Sequence, residues 1–300
     1  MAYDGTVKKV AEFVAESPFG TLPDNPAFEN FGGYVSEASV KKTMVPVKIP
    51  YLKDDDDENR LQSTKTEKVS EAFAATITMN PTDWAILPYI LKAAAATTYE
   101  IGDTNYDIGL GLIVDDQYEV LGGGCWNKYS CTIASESAAE ATVEGMFAKS
   151  TGLGVVDYVT GTGTHASTPT GASIKFGDLT DVLYDAAATS VNGITIDSVG
   201  FGIEYPVNPV KDVGSTNNSN TAAWSYGQRN INLDLNMTLI DTSVVPDLLD
   251  GAAHSFAFTG GAKTLTFSNI LWEGDWDEKL SPDDVIAMPL KATNVDIAIT

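Results

Sequence analysis

The chain has 300 residues, 43% hydrophobic and 20% charged, and its 41 acidic side chains against 18 basic ones give a formal charge of −23. That length can hold two domains with cores, and that composition excludes a disordered or collagen-like chain. No apolar run approaches the roughly 20 residues needed to cross a bilayer, and a surface this acidic repels nucleic-acid phosphates instead of binding them. Two readings of the charge stay open. One is a passage to which DNA must not adhere; the other is adaptation to concentrated salt, where dense carboxylates keep a surface hydrated.

The opening MAYDGTVKKVAEFVAES lacks the apolar core and cleavage site of a secretory signal, so the mature protein is expected to begin near Met1. Val7, Val10, Phe13 and Val14 stand at helical spacing and predict a short amphipathic helix. SPFGTLPDNPAFENFGG follows as an extended arm, so 1–32 form an N-terminal helix and arm. A β-rich run from about Tyr34 to Lys48 leads into PYLKDDDDENRLQSTKT, a charged loop of a length that is usually functional or mobile. The next strand spans about Lys68 to Met79.

Asn80 as N-cap, Pro81 at the first position and the stripe Trp84, Leu87, Leu91 predict a short helix, with a kink at Pro88. Strands follow in TTYEIG, YDIGLGLIVDD and YEVLGGGCWNKYSCTIAS. Residues 136–148 read both ways: helical by propensity at first, alternating like a strand from Thr142 to Ala148. A Gly/Thr-dense stretch at 151–171 marks a linker between modules at 33–150 and 172–300. In the second module, SIKFG opens a short strand, and further strands are predicted at about Gly193–Tyr205, Gln228–Ile240, Ser255–Phe258 and Lys263–Trp272.

The modules repeat one order of elements. Ser36–Asn80 and Ile196–Asp241 are each a β-rich run, a long polar loop and a second β-rich run. A short apolar helical segment comes next, PTDWAILPYIL or TSVVPDLL, and later a tryptophan, Trp126 or Trp272. Many strands with few helices point to β-sandwich units.

Chemistry is sparse. The only histidines are His165, in the linker, and His254, before a strand; neither sits in a triad or zinc pattern, and both read as polar surface residues. Cys125 and Cys131 would lie about 20 Å apart on one strand, so they read as buried thiols. No phosphate-binding loop or dinucleotide fingerprint is present. Asp54, Asp55, Asp56, Asp57 and Glu58 lack the alternation of a calcium loop and allow at most weak cation contact, so no metal site is assigned. Asp181, Asp275, Asp277, Asp283 and Asp284 do not stand out as catalytic pairs in so acidic a chain. Asn217 and Asn236 head glycosylation sequons, the second inside a predicted strand.

The second half, from ASIKFGDLTDVLY through YGQRNINLDLNMTLID, resembles tail tube proteins of long-tailed (siphovirus-like) phages and archaeal viruses; YEVLGGGCWNKYSCTIASESAAEATVEGMFAKS looks like the later part of the same module. The likeness covers most of 30–300 as an order of elements. It implies a mainly β chain: two tandem tail-tube-type β-sandwich modules, each flanked by a short α-helix. It also implies that six modules close a ring, so three fused chains form a trimeric, pseudo-sixfold one, and rings stack into a hollow tube for genome DNA. Four lumen strands per module would give about 24 strands and a bore of roughly 37 Å.

A structural subunit of a viral tail, assembled in the host cytoplasm, is therefore expected, with no enzymatic activity and no cofactor. Its partners are further copies of itself and other tail proteins (tape measure, terminator, tip). DNA passes without specific binding, and there is no membrane insertion. The candidate inter-ring contacts are Lys53, Asp54, Asp55, Asp56, Asp57, Glu58 and Arg60 in the first loop and Val213, Asn217, Asn218 and Trp224 in the second. The alternative is an extracellular or virion-surface carbohydrate- or receptor-binding β-sandwich module, with Trp272 and Trp276 stacking on sugars.

Overall fold

The computed structural model describes residues 9–51, 63–93, 99–100, 102, 106–188, 194–211, 221–239, 251–273 and 286–300. Over these residues the chain is mainly β. In chain order the strands of the first half are β1 (Lys9–Glu16), β2 (Gly33–Tyr51), β3 (Ser63–Pro81), β4 (Tyr99–Glu100), β5 (Asp107–Val114), β6 (Gln117–Ala134) and β7 (Glu140–Ser150). The second half supplies β8 (Thr180–Tyr184), β9 (Ala187–Ala188), β10 (Ile194–Glu204), β11 (Val207–Lys211), β12 (Thr221–Tyr226) and β13 (Asn230–Leu239). It ends with β14 (His254–Gly260), β15 (Lys263–Ile270), β16 (Ile286–Ala292) and β17 (Asp296–Ile299). The α-helix among the described residues is α1, Leu87–Leu91.

A nine-stranded antiparallel sheet runs β16-β13-β10-β6-β7-β3-β2, with β5 and then β1 branching from β6. It passes through both halves without a break. A six-stranded sheet, β4-β17-β15-β14-β8-β9, packs against it. Alternation creates the layer between them: Phe73, Ala75, Ile77 and Met79 of β3 point inward, as do Val199, Phe201 and Ile203 of β10 and Ile231, Leu233, Leu235 and Met237 of β13. Phe201 meets Phe267 of the second sheet at 5.5 Å between ring centroids. One apolar cluster extends from Ala11 to Ile299, so the halves share a core.

β6 is the joint. Its first part pairs with β5 and its last part, Lys128–Ala134, with β10 of the second half, while β7 follows it along the other edge. Before the strand passes from one partner to the other it bulges against β5 between Leu121 and Gly124, where Gly123 supplies a left-handed φ of +62°.

The pairing pattern is duplicated. β1 pairs with β5 as β8 pairs with β14; β2 pairs with β3 as β10 pairs with β13; β3 pairs with β7 as β13 pairs with β16. β6 corresponds to β15 and the residues after it. Two bulges fix the register between copies. In each, the first strand skips one residue, between Val35 and Glu37 or between Ile196 and Ser198, opposite Met79–Thr78 or Met237–Asn236. This offset carries Gly145 onto Ala292. Trp126 pairs with Gly145, and the Glu273–Lys291 bridge places Trp272 level with Ala292. The two tryptophans that marked the repeat thus occupy equivalent places.

Several expectations are corrected. The N-terminal helix is strand β1: apolar residues lie on both its faces, and pairing with β5 buries Ala11, Glu12, Phe13 and Val14, which outweighs the helical spacing. The first helix starts at Leu87, with Pro88 in its first turn, because Asn80 and Pro81 still belong to β3. Pro88 thus opens the helix and does not kink it. Residues 140–150 settle as strand β7 through pairing on both edges. SIKFG forms a 3-10 turn at Phe176–Asp178, since Ile174 is tied to Pro81 O and Ala139 N instead of entering a ladder. The segment TSVVPDLL lies outside the described residues, so no flanking helix is seen for the second half.

Candidate assembly face, seam and strap

The face of the large sheet turned away from the core is polar and small-residued. Across its strands stand Thr76 and Thr78, Thr142 and Glu144, Lys128, Ser130 and Thr132, Ser198, Gly200 and Gly202, then Asn232, Asp234 and Asn236. Among the described side chains its acids are Glu37, Glu140, Glu144, Asp197, Glu204, Asp234 and Glu273, against Lys41, Lys128 and Lys291. Over the described side chains such a surface disfavours phosphate contact, since acids outnumber the bases that would release counterions. Among the described residues β2 has no strand on its outer side, which leaves a long row of backbone donors and acceptors at one border of the sheet. The β2–β3 hairpin also outruns its neighbours, because β7 pairs with β3 only over Phe73–Met79. An unsupported two-stranded ribbon is marginal in water, so this arm needs a surface to lie on.

The halves meet in a seam closed by aromatic donors. The Tyr205 hydroxyl donates to Trp126 O at 3.0 Å and also to Ile90 O; Trp84 Nε1 donates to Gly260 O at 2.9 Å, and Arg229 donates to Gly102 O. Lys92 ends α1 in left-handed conformation and is buried, its Nζ 4.3 Å from the Tyr226 ring centroid and 5.6 Å from that of Tyr205. Burial lowers its pKa to about 8, with Cys125 and Asp107 opposing. Burial likewise raises the thiols, Cys125 to about 11 and Cys131 to about 12, so both are inert and unlinked.

Residues 151–171 form a strap bound across β1. Glu12, fully buried, accepts from the Tyr158 hydroxyl at 2.7 Å and from Ala166 N at 2.7 Å. His165 Nδ1 lies 2.7 Å from Glu12 Oε1 and Nε2 lies 3.1 Å from Asp157 Oδ2. Both ring nitrogens therefore face carboxylate oxygens, and only the imidazolium donates to both. Burial alone pulls the His165 pKa down, yet these bonds to Glu12 and Asp157 carry it above the ordinary histidine value. Nearby, Glu16 accepts from Gly20 N and Gly123 N at 2.8 Å each, while burial raises its pKa.

Of the residues singled out in the sequence, Trp224 is turned inward: it is buried and its indole donates to Gly123 O at 2.8 Å. Lys53, Asp54, Asp55, Asp56, Asp57, Glu58, Arg60, Val213, Asn217 and Asn218 lie outside the described residues, as do Trp276, Asp275, Asp277, Asp283 and Asp284. Trp272 is half-buried and donates to the Tyr184 hydroxyl at 2.9 Å. His254, expected at the surface, is buried beside Asp185, with Nδ1 2.8 Å from Oδ2. Asn236 donates to Ser198 Oγ on the open face. Among the described residues no cluster of His, Cys, Asp and Glu suits a metal ion, and no helix is long and apolar enough to cross a membrane. A cleft of about 380 Å³ beside α1 is lined by Trp84, Pro88, Tyr89 and Tyr106 with Glu29 and Lys263.

Fold and site define a duplicated two-sheet β protein with an acidic open face. No protein-family model matches the chain, and no curated protein matches it.

Proposed function

We propose that this chain is the building unit of a viral tail tube, with copies joined edge to edge into rings and rings stacked into a conduit for DNA. The observation that carries this reading is the large sheet. It runs unbroken through two equivalent halves, its open face is polar and acid-rich, and its β2 border has no partner within the described residues. The β6–β10 junction is then the pattern for the junction between chains, because β2 holds in the first half the place that β10 holds in the second. Repeating that junction closes a ring and removes the exposed edge. The projecting β2–β3 arm supplies a contact from ring to ring.

A second reading, a glycan- or receptor-binding module, draws on the aromatic cleft beside α1. Electron microscopy of the purified protein distinguishes the two. Rings or hollow rods are expected; dispersed monomers that bind a glycan array would favour the module. Removing 53–60 is expected to slow or abolish polymerisation while circular dichroism stays unchanged, and undiminished growth would deny that loop a stacking role.

A further inference from the structure

In the first half, Glu144 of β7 and Lys128 of β6 stand opposite each other on the open face, with Lys128 Nζ 3.3 Å from Glu144 Oε1. The next strand, β10, sets Glu204 opposite Lys128. The row reads acid, base, acid across the seam.

In the second half the equivalent positions are Lys291 on β16 and Glu273 beside it, joined by backbone hydrogen bonds of 2.7 and 3.0 Å. Here the order is reversed: the base comes first and the acid stands outermost. An outermost acid calls for a base on whatever strand comes next. The counterpart of β10 is β2, and the offset set by the two bulges carries Glu204 onto Thr43 and Gly202 onto Lys41. Lys41 is exposed and pairs with Ala74, which pairs with Met146 on β7, so its side chain belongs to the same open face as Lys128 and Glu144.

We infer that Glu273 of one chain faces Thr43 and engages Lys41 of a second copy, in a junction built like the β6–β10 seam with its charges exchanged. This rests on the assembly reading above and adds to it a register and a reason for partner choice. Diagonal cross-strand neighbours sit roughly 7–8 Å apart, within reach of a lysine and a glutamate.

The exchange tells the two junctions apart. A second-half border meeting a β10-type edge would set Glu273 against Glu204, and a first-half border meeting β2 would set Lys128 near Lys41. Like charges at such positions destabilise the pair, so each second half is directed to the first half of another chain.

The test uses the full-length chain with Lys41→Glu, Glu273→Lys and the double variant, followed by sedimentation velocity at about 0.1 M and 1 M salt, with folding checked by circular dichroism. Each single reversal is expected to weaken association by roughly three- to fivefold per contact at the lower salt, and the double variant to recover most of it. The differences shrink at 1 M, where the screening length falls to about 3 Å. Glu273→Lys also sets two lysines side by side within one chain, so rescue by Lys41→Glu is the informative arm. Single variants that associate like the wild type, or a double variant no better than either, would overturn the pairing while leaving assembly intact. A wild-type chain that stays monomeric in every condition would remove both.

Discussion

Tyr205, one residue past β10 in the second half, donates its hydroxyl to the carbonyl of Trp126 in the first half at 3.0 Å, and the same oxygen reaches Ile90 O. The phenol is buried, so two carbonyls inside the seam depend on one donor. This contact fixes the first half against the second at the point where β6 passes from β5 to β10.

Tyr205→Phe should therefore destabilise the whole chain, not one half. Leaving both carbonyls without their donor costs about 1–3 kcal/mol. Urea unfolding followed by tryptophan fluorescence checks this. A single transition moved to lower urea is expected; an unchanged midpoint would mean that the seam draws little from this bond.

The strap carries a pH dependence of definite sign. His165 has a raised pKa in the folded chain, so its contribution is fully present below the unfolded value, near 6.5, and is lost as pH rises through the folded one. The protection of amides in 151–166, taken as exchange relative to the base-catalysed rate of the free chain, should fall from neutral to alkaline pH. Glu12, Asp157 and Tyr158 surround the ring, with Tyr118 stacked on it at 6.3 Å, and His165→Gln should flatten the profile.

Lys92 acts in the opposite direction. Its pKa falls from 10.5 to about 8 on folding, so between those values the unfolded chain binds more protons and stability rises with pH. Lys92→Met should remove that rise. It should also leave the protein at least as stable near pH 7, because an isolated buried cation gives way to an apolar chain of similar length. A strong loss of stability would mean that the cation–π contacts with Tyr226 and Tyr205 outweigh desolvation.

Tyr158 lies on the backbone of Gly111, where an added Cβ would come within 2.5 Å of the phenol oxygen. Gly111→Ala should lift the strap and expose 151–166 to limited proteolysis at neutral pH, with β5 still paired to β6.

The β class and the repeat were legible because alternation and turn chemistry are local: Ile77 and Met79 announce the buried face of β3 without reference to a partner, although Ala72 and Ala74 suggest the wrong phase before them, where Phe73 and Ala75 point inward. β1 was not legible. Val10, Phe13 and Val14 fit a helix equally well, and only the distant β5 decides between the two. The same limit hid the strap. Glu12 and His165 are 153 residues apart, so nothing near either signals that they meet. Tyr158, an aromatic residue inside a Gly/Thr linker, was the available sign that the segment packs; Val155 and Val156 before it stay exposed. The exchanged charges at Glu273 and Lys291 needed the register, which two bulges supply and composition does not.

End-on views of the assembled protein, averaged by electron microscopy, test the central claim most directly. Closed rings with six near-equivalent lobes contributed by three chains, enclosing an open bore, are expected. Particles that remain single, or rings with an odd number of lobes, would contradict an annulus made by repeating the seam between the two halves.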